Sequence, residues 1–242
     1  MSGPGSLLHD VRTVLFDVDG TLVDHDRAQR EALRLRLADE GHDLVDAEWS
    51  HWRELEEHHF ARYLDGAIDF AQQRHERVRG FTGEPLDDAA AQQWFAVYLS
   101  HFEASWTLFP DVLPTLDALT SQGLELGAFS NVGGDFTRHK LATVGIADRF
   151  AVVWGTDDVG AAKPDAAVFA ALCDRLASPR GATVHVGDRY EADARGAVAA
   201  GLRGVWLDRP GADPRGRIGA EPPDPRVAVV TSLGELVAGG TA

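Results

Sequence analysis

Arg12–Thr21, RTVLFDVDGT, decides how the rest of this chain is read. Its first half is a short apolar, β-branched run without polar alternation, the pattern of a strand covered on both faces of a sheet. The run stops abruptly on Asp17-Val18-Asp19-Gly20-Thr21. Asp17 and Asp19 stand two apart at that strand end, which sets both side chains on one face of the sheet edge. Gly20 then permits a backbone turn. Two neighbouring carboxylates repel each other, so burying them together calls for a cation or a shared proton, and a hard, oxygen-seeking ion such as magnesium meets that need. One carboxylate can then act as a nucleophile toward phosphorus while the other carries a proton. A turn whose aspartates only cap backbone groups is the competing reading of this stretch by itself.

Further along, the same kind of run recurs at Leu124–Ser130, Val152–Gly155, Thr183–Gly187, Gly204–Asp208 and Val227–Thr231. Amphipathic segments at Val112–Gln122, Asp135–Val144, Asp165–Leu176 and Glu191–Ala200 alternate with them. Strands alternating with helices of this length imply βα units, hence an α/β fold on a mostly parallel sheet. Ligands of such sheets sit beyond the carboxyl ends of the strands. Asp24–Trp106 breaks the alternation: it has no strand pattern and reads as four helices, Arg27–Glu40, Ala47–Leu64, Ile68–Arg79 and Asp88–Ser105. An all-helical block placed directly after the first strand is expected to form a cap that excludes water and selects substrate. The expected domains are therefore a core of residues 1–23 and 107–242, and a cap of residues 24–106. Asp208–Pro225, rich in Gly, Pro, Asp and Arg, reads as a long surface loop.

Three more polar clusters fall at strand ends. Ser130-Asn131, followed by Gly133-Gly134 and a helix start, offers a hydroxyl, an amide and backbone donors suited to phosphate oxygens. Lys163, in Ala-Lys-Pro-Asp, is one of only two lysines in the chain, the other being Lys140. A compact ammonium there suits point-charge neutralisation of phosphate and carboxylate. Gly187-Asp188 supplies a further metal ligand, with Asp193 placed to accept from Lys163 or from a metal-bound water. Turns, N-caps and an exposed loop lysine explain each cluster singly. Their common place at strand ends is what makes a phosphoryl-transfer site of them: nucleophile, proton carrier, phosphate cradle, charge neutraliser and metal ligand.

Composition narrows the remaining classes. The formal net charge of −15 argues against binding nucleic acid through its phosphate backbone. It leaves room for a small anionic substrate, because a metal and a few local cations can invert the field within one cleft. The sequence holds no apolar run of membrane-spanning length and opens on no leader pattern, so a cytoplasmic enzyme that engages no membrane is expected. The single cysteine, Cys173, excludes a disulfide framework and reads as a packed apolar residue.

With these residues in view, the chain resembles the haloacid dehalogenase superfamily. Phe16–Thr21 (FDVDGT), Phe129–Asn131 (FSN), Ala162–Asp165 (AKPD) and Gly187–Asp193 (GDRYEAD) are similar to its four motifs in type and order. The resemblance implies a Rossmann-like, mostly parallel core with an inserted helical cap, and Mg2+ as cofactor. It implies Asp17 as nucleophile and Asp19 as acid/base. It places Asp17, Asp188 and the Asp19 backbone carbonyl on the metal, with Asp193 behind them. Thr21, Ser130, Asn131 and Lys163 are then the phosphate-side residues. Arg189-Tyr190 and Ala192 depart from the usual fourth motif. The carboxylate at position 19 favours phosphate over carbon–halogen chemistry, since true haloacid dehalogenases lack it. Ala61–Phe81 is similar to the pyrimidine-nucleotide and acylneuraminate phosphatase branch, so a nucleotide or sugar phosphate is the expected substrate. A sugar phosphomutase using the same pair, or a non-catalytic binding module, are the alternatives. The cap arginines Arg62, Arg74, Arg77 and Arg79 are expected to pair with surface glutamates, and Trp49, Trp52, Phe60 and Tyr63 to pack as core.

Overall fold

A computed structural model describes residues 7–211 and 224–238. Most of the loop expected over Asp208–Pro225 lies outside the described residues. The chain divides into two compact units, Met1–Asp24 with Thr107–Ala242, and His25–Trp106.

The first unit is built on six strands: β1 (Thr13–Phe16), β2 (Glu125–Phe129), β3 (Val152–Trp154), β4 (Thr183–Gly187), β5 (Arg203–Leu207) and β6 (Val227–Val230). They form one parallel sheet in the order β3-β2-β1-β4-β5-β6. The chain thus starts at the centre, runs outward to one edge, and returns to the other side of β1. The reversal between β1 and β4 is the switch point where open α/β sheets bind ligands. Register brings the motifs level there: Phe16 pairs with Ala128 on β2 and with Val186 on β4. The residues that follow these partners are Asp17, Phe129 and Gly187, and the Asp17 amide continues the ladder by donating to the Val186 carbonyl at 2.9 Å.

Alternation along β1 splits its side chains between two buried layers. Leu15 joins Phe129, Val152, Val168, Phe169, Leu172 and Cys173 in one cluster, while Phe16 meets Phe150 edge-on with centroids 6.4 Å apart. Each fully buried Leu or Phe of this kind contributes about 1.5–3 kcal/mol. Cys173 is a free, buried thiol, pushed up from its ordinary value by burial. The helices expected around the sheet are α5 (Val112–Ser121), α6 (Gly134–Thr143) and α8 (Ala166–Arg175). A single helical turn, α7 (Thr156–Val159), which periodicity does not announce, lies between β3 and α8.

The segment expected as one helix over Glu191–Ala200 differs. It opens as a wider, π-type turn over Tyr190–Arg195, and only Gly196–Ala199 is α-helical (α9). Such turns insert an extra residue and cluster at functional sites. Here the wide turn accommodates Asp193, whose carboxylate points inward rather than along the helix surface.

The second unit is four helices, α1 (His25–Ala38), α2 (Asp46–Leu64), α3 (Phe70–Thr82) and α4 (Asp88–Ala104). Asp69 and Gln72 cap α3 reciprocally, each side chain bonding the other's backbone amide at 2.8 and 2.9 Å. Asp87 caps α4 through the Ala90 amide. Inside the bundle Trp52 packs on Tyr98 (4.8 Å between centroids) and Trp94 (5.5 Å). Arg77 departs from the surface role expected of it. Its guanidinium lies buried 3.8 Å over Trp52, donating to Glu56 Oε1 and Gln29 Oε1 at 2.9 Å each. Burial alone would raise the Glu56 carboxyl, but Arg77 and His25 hold it well below the usual carboxylate range. Arg79 does pair outward, with Glu76 and Asp88, whereas Arg74 stacks on Phe70 and Phe95. No helix among the described residues is long and apolar enough to cross a membrane.

Removing one member of a buried ion pair strands the other, at a cost of about 3–5 kcal/mol. Arg77→Met is therefore expected to lower stability by about 3 kcal/mol in urea unfolding, with the change visible in Trp52 fluorescence. A loss below about 0.5 kcal/mol would mean that the Glu56–Arg77 pair contributes nothing.

Candidate active site

The carboxyl edge of the first unit gathers the residues that the sequence singles out. Lys163, in the loop before α8, is buried, and its three N–H donors are all used. Nζ donates to Asp17 Oδ1 at 2.7 Å, to Asp193 Oδ1 at 2.7 Å and to the Phe129 carbonyl at 3.2 Å. Burial would strip the proton from this ammonium, but the two carboxylates hold its affinity well above the ordinary lysine value.

Both oxygens of Asp193 are occupied. Oδ1 accepts from Lys163 and from His185 Nε2 (3.0 Å), and Oδ2 from the Arg189 amide (3.0 Å). Against the penalty of burial, Lys163 keeps this carboxyl well below its usual range. Asp17 is in the opposite state. Burial, with the charges of Asp193 and Asp19, lifts its carboxyl to about 6 despite the pull of Lys163. Its second oxygen, Oδ2, is buried with no hydrogen-bond partner. Asp188 is likewise raised well above the ordinary value, by burial and by the nearby Asp17.

Asp17, Asp188 and Asp193 can each place one carboxylate oxygen within 4.8 Å of the others. Together these groups could hold a divalent metal, and an all-oxygen donor set suits a hard cation better than zinc or copper. The partnerless Asp17 Oδ2 and the two raised carboxyls are what a site suited to added positive charge presents. Since Asp193 is already saturated, Asp17 and Asp188 are the members with capacity to spare.

Close backbone approaches hold this geometry. A Cβ on Gly20, whose φ is +84°, would stand 2.4 Å from Asp188 Oδ2, and one on Gly187 would stand 2.2 Å from Asp193 Cγ. Asp188 is gripped from two sides: its amide donates to Thr21 Oγ1 at 3.1 Å, and its carbonyl accepts from Trp206 Nε1 at 2.9 Å. Asn131 spends its whole amide on Lys163, donating to its carbonyl (2.9 Å) and accepting from its N–H (2.8 Å). Ser130 is buried next to it and extends the sheet through its amide to the Trp154 carbonyl.

Asp19 is placed apart from the Lys163 cluster. Its Oδ1 accepts from Lys140 Nζ, an ammonium that is 1% exposed on α6. Three contributors escape motif reading. Lys140 lies 121 residues from its partner, and its only sequence signal is the scarcity of lysine. His185, fully buried in β4, has its affinity for a proton lowered by burial and stands behind Asp193 through its Nε2. Arg209, just after β5, clamps Asp111 with two bonds of 2.9 Å and reaches the Thr21 carbonyl at 2.9 Å.

A family profile described as haloacid dehalogenase-like hydrolase matches residues 11–201. The chain belongs to that family. Phosphoglycolate phosphatase of Escherichia coli is 30% identical to it over 217 residues, 84% of this chain and 83% of that enzyme. Phosphoserine phosphatase of Thermus thermophilus is 35% identical over 132 residues, which is 54% of this chain and about half (49%) of that enzyme's length. Among solved structures, the 2-haloacid dehalogenase of Pseudomonas syringae superposes with a TM-score of 0.64 at 28% identity, covering 93% of this chain and 96% of that one. The parallel α/β core is thus shared with haloacid dehalogenase-like enzymes of more than one chemistry.

Gly20→Ala tests the packing of the loop against Asp188. A left-handed φ costs a side-chain-bearing residue about 1–2 kcal/mol, so denaturant melts are expected to register a loss of that size. Displacement of Asp188 should in addition weaken divalent-cation binding on the order of tenfold, as shifts of supporting groups do, measured by titration calorimetry. Unchanged affinity would remove Asp188 from the metal set.

Proposed function

We propose that the chain is a magnesium-dependent phosphohydrolase that cleaves a small phosphomonoester, a nucleotide or sugar phosphate, through an aspartyl-phosphate on Asp17. The observation that carries this reading is the asymmetry of Asp17: Oδ1 is fixed by Lys163 while Oδ2 is buried and partnerless. A buried oxygen left so is costly unless a ligand satisfies it. A bound phosphate, with its cation, would do so.

In this reading Oδ2 of Asp17 attacks phosphorus, and the bond from phosphorus to the substrate oxygen breaks with its electron pair going to that oxygen. Asp19 gives the departing oxygen a proton. Water then attacks the phosphorus, Asp19 takes a proton from it, and the pair of the Asp17–phosphorus bond returns to the carboxylate, leaving inorganic phosphate. Lys163 neutralises charge throughout. Ser130 lines the phosphate side, and Thr21 and Asn131 act there chiefly by fixing Asp188 and Lys163. Asp17, Asp188 and the Asp19 carbonyl would hold the Mg2+, braced by Asp193, and the bound cation would supply electrostatic stabilisation of the transferring phosphoryl group. Substrate selection is assigned to the His25–Trp106 unit, on the ground that it is inserted directly after the loop carrying Asp19.

The carboxylate at position 19 favours phosphorus over carbon–halogen chemistry, and the phosphatase names of the aligned relatives agree with it. A panel of nucleoside monophosphates, sugar phosphates and other small phosphomonoesters, with magnesium, is expected to give phosphate release that Asp17→Asn lowers by on the order of 10³-fold or more. Measuring sugar-phosphate isomers in the same reactions separates a mutase, and halide release from a 2-haloacid separates a dehalogenase. Chelation should abolish turnover and added Mg2+ restore it; activity indifferent to chelation would overturn the metal assignment.

A further inference from the structure

Lys140 stands outside every motif and outside the Lys163 cluster, yet its Nζ donates to Asp19 Oδ1. The chain's two lysines are both buried, and each binds one member of the Asp17–Asp19 pair. A buried ammonium is costly unless its partner is well placed. Arginine supplies every other fixed cation of the chain, so neither lysine stands in for a general surface charge.

The helix that carries Lys140 is tied to its neighbours at its start and along its length. At the start of α6 the Gly134 amide donates to Asp157 Oδ1 at 2.6 Å, and Arg138 ties the helix to β3 through the Val153 carbonyl at 3.0 Å. The centroid of the Phe136 ring lies 5.2 Å from Nζ. Asp19, by contrast, belongs to the turn that follows β1, so the contact joins that turn to α6. Lysine has three donors and no acceptor. The contact therefore fixes Asp19 Oδ1 as an acceptor from α6.

We propose that Lys140 is a positioning residue that holds the Asp19 carboxylate for the second half of the reaction, when it takes a proton from the water attacking the aspartyl-phosphate. This rests on the roles assigned above to Asp17 and Asp19. In that step the water oxygen bonds phosphorus, its proton passes to Asp19, the Asp17–phosphorus bond breaks, and its electron pair stays on Asp17. The first half depends less on the contact, because a leaving group that needs no proton departs without help from Asp19.

Rapid-mixing kinetics with p-nitrophenyl phosphate and magnesium separate the two halves, since p-nitrophenolate leaves unprotonated. Lys140→Met is expected to release one p-nitrophenol per site at the wild-type rate, followed by a steady rate lowered about tenfold or more. Acid-quenched protein should then carry a hydroxylamine-sensitive phosphate. Lys140→Arg should recover part of the steady rate. Burst and steady rates falling together, or neither changing, or a faster steady rate, would overturn the proposal. Absence of any Asp17-dependent p-nitrophenol from the wild type would instead overturn the phosphohydrolase reading itself. Thermal melts accompany each variant, and Lys140→Gln serves if the methionine variant does not fold. Failure of both to fold would assign Lys140 to the scaffold and likewise overturn the proposal.

Discussion

The ammonium of Lys163 sits between the buried carboxylates of Asp17 and Asp193, and the carboxyl edge of the sheet is arranged around it. Three acceptors for three N–H groups leave that cation satisfied in a place where an unsatisfied one would be ejected or neutralised. Its backbone is fixed on both sides of the carbonyl–amide pair by Asn131. The same arrangement forces a difference between two chemically identical groups. Asp193, tied by Lys163, His185 and Arg189, is a carboxylate with nothing further to offer. Asp17, tied through one oxygen only, keeps the other available. Placement alone leaves one aspartate with both oxygens occupied and the other with an oxygen to spare.

Sheet order explains why these groups can meet at all. The loops that follow β1, β2 and β4, together with the segment before α8, arrive at one edge because β1 lies between β2 and β4 in register. Glycine at positions 20 and 187 lets the strand ends come within side-chain distance of Asp188 and Asp193, where a methyl group would overlap them. The arrangement is thus set by backbone proximity as much as by the charged residues.

Much of the sheet edge was legible in sequence because strand ends are marked by abrupt changes from apolar to polar residues, as at Phe16-Asp17 and Gly187-Asp188. Groups projecting from element interiors were not. Lys140 lies in the last turn of α6, where base rates favour a solvated lysine, and nothing local tells that α6 turns it inward. His185 looks like one polar residue interrupting β4 and discloses nothing of its bond to Asp193. Arg77 sits among charged neighbours that suggest a surface stripe, and only the packing of Trp52 and Tyr98 around it reveals a buried cation. The wide turn over Tyr190–Arg195 was missed for a related reason: the helical period is carried by side chains, while the extra backbone residue answers to where Asp193 must point.

One consequence follows for the chemistry that can reach this protein from outside. Both ε-amino groups of the chain are buried and hydrogen-bonded to carboxylates, Lys140 at 1% and Lys163 at 4% exposure. Its other side chains of fixed positive charge are guanidinium groups, which acylating reagents and lysine-directed modification leave alone. Amine reagents therefore find no lysine on the folded surface, and acylation of either one would report that the protein had opened around its two aspartates.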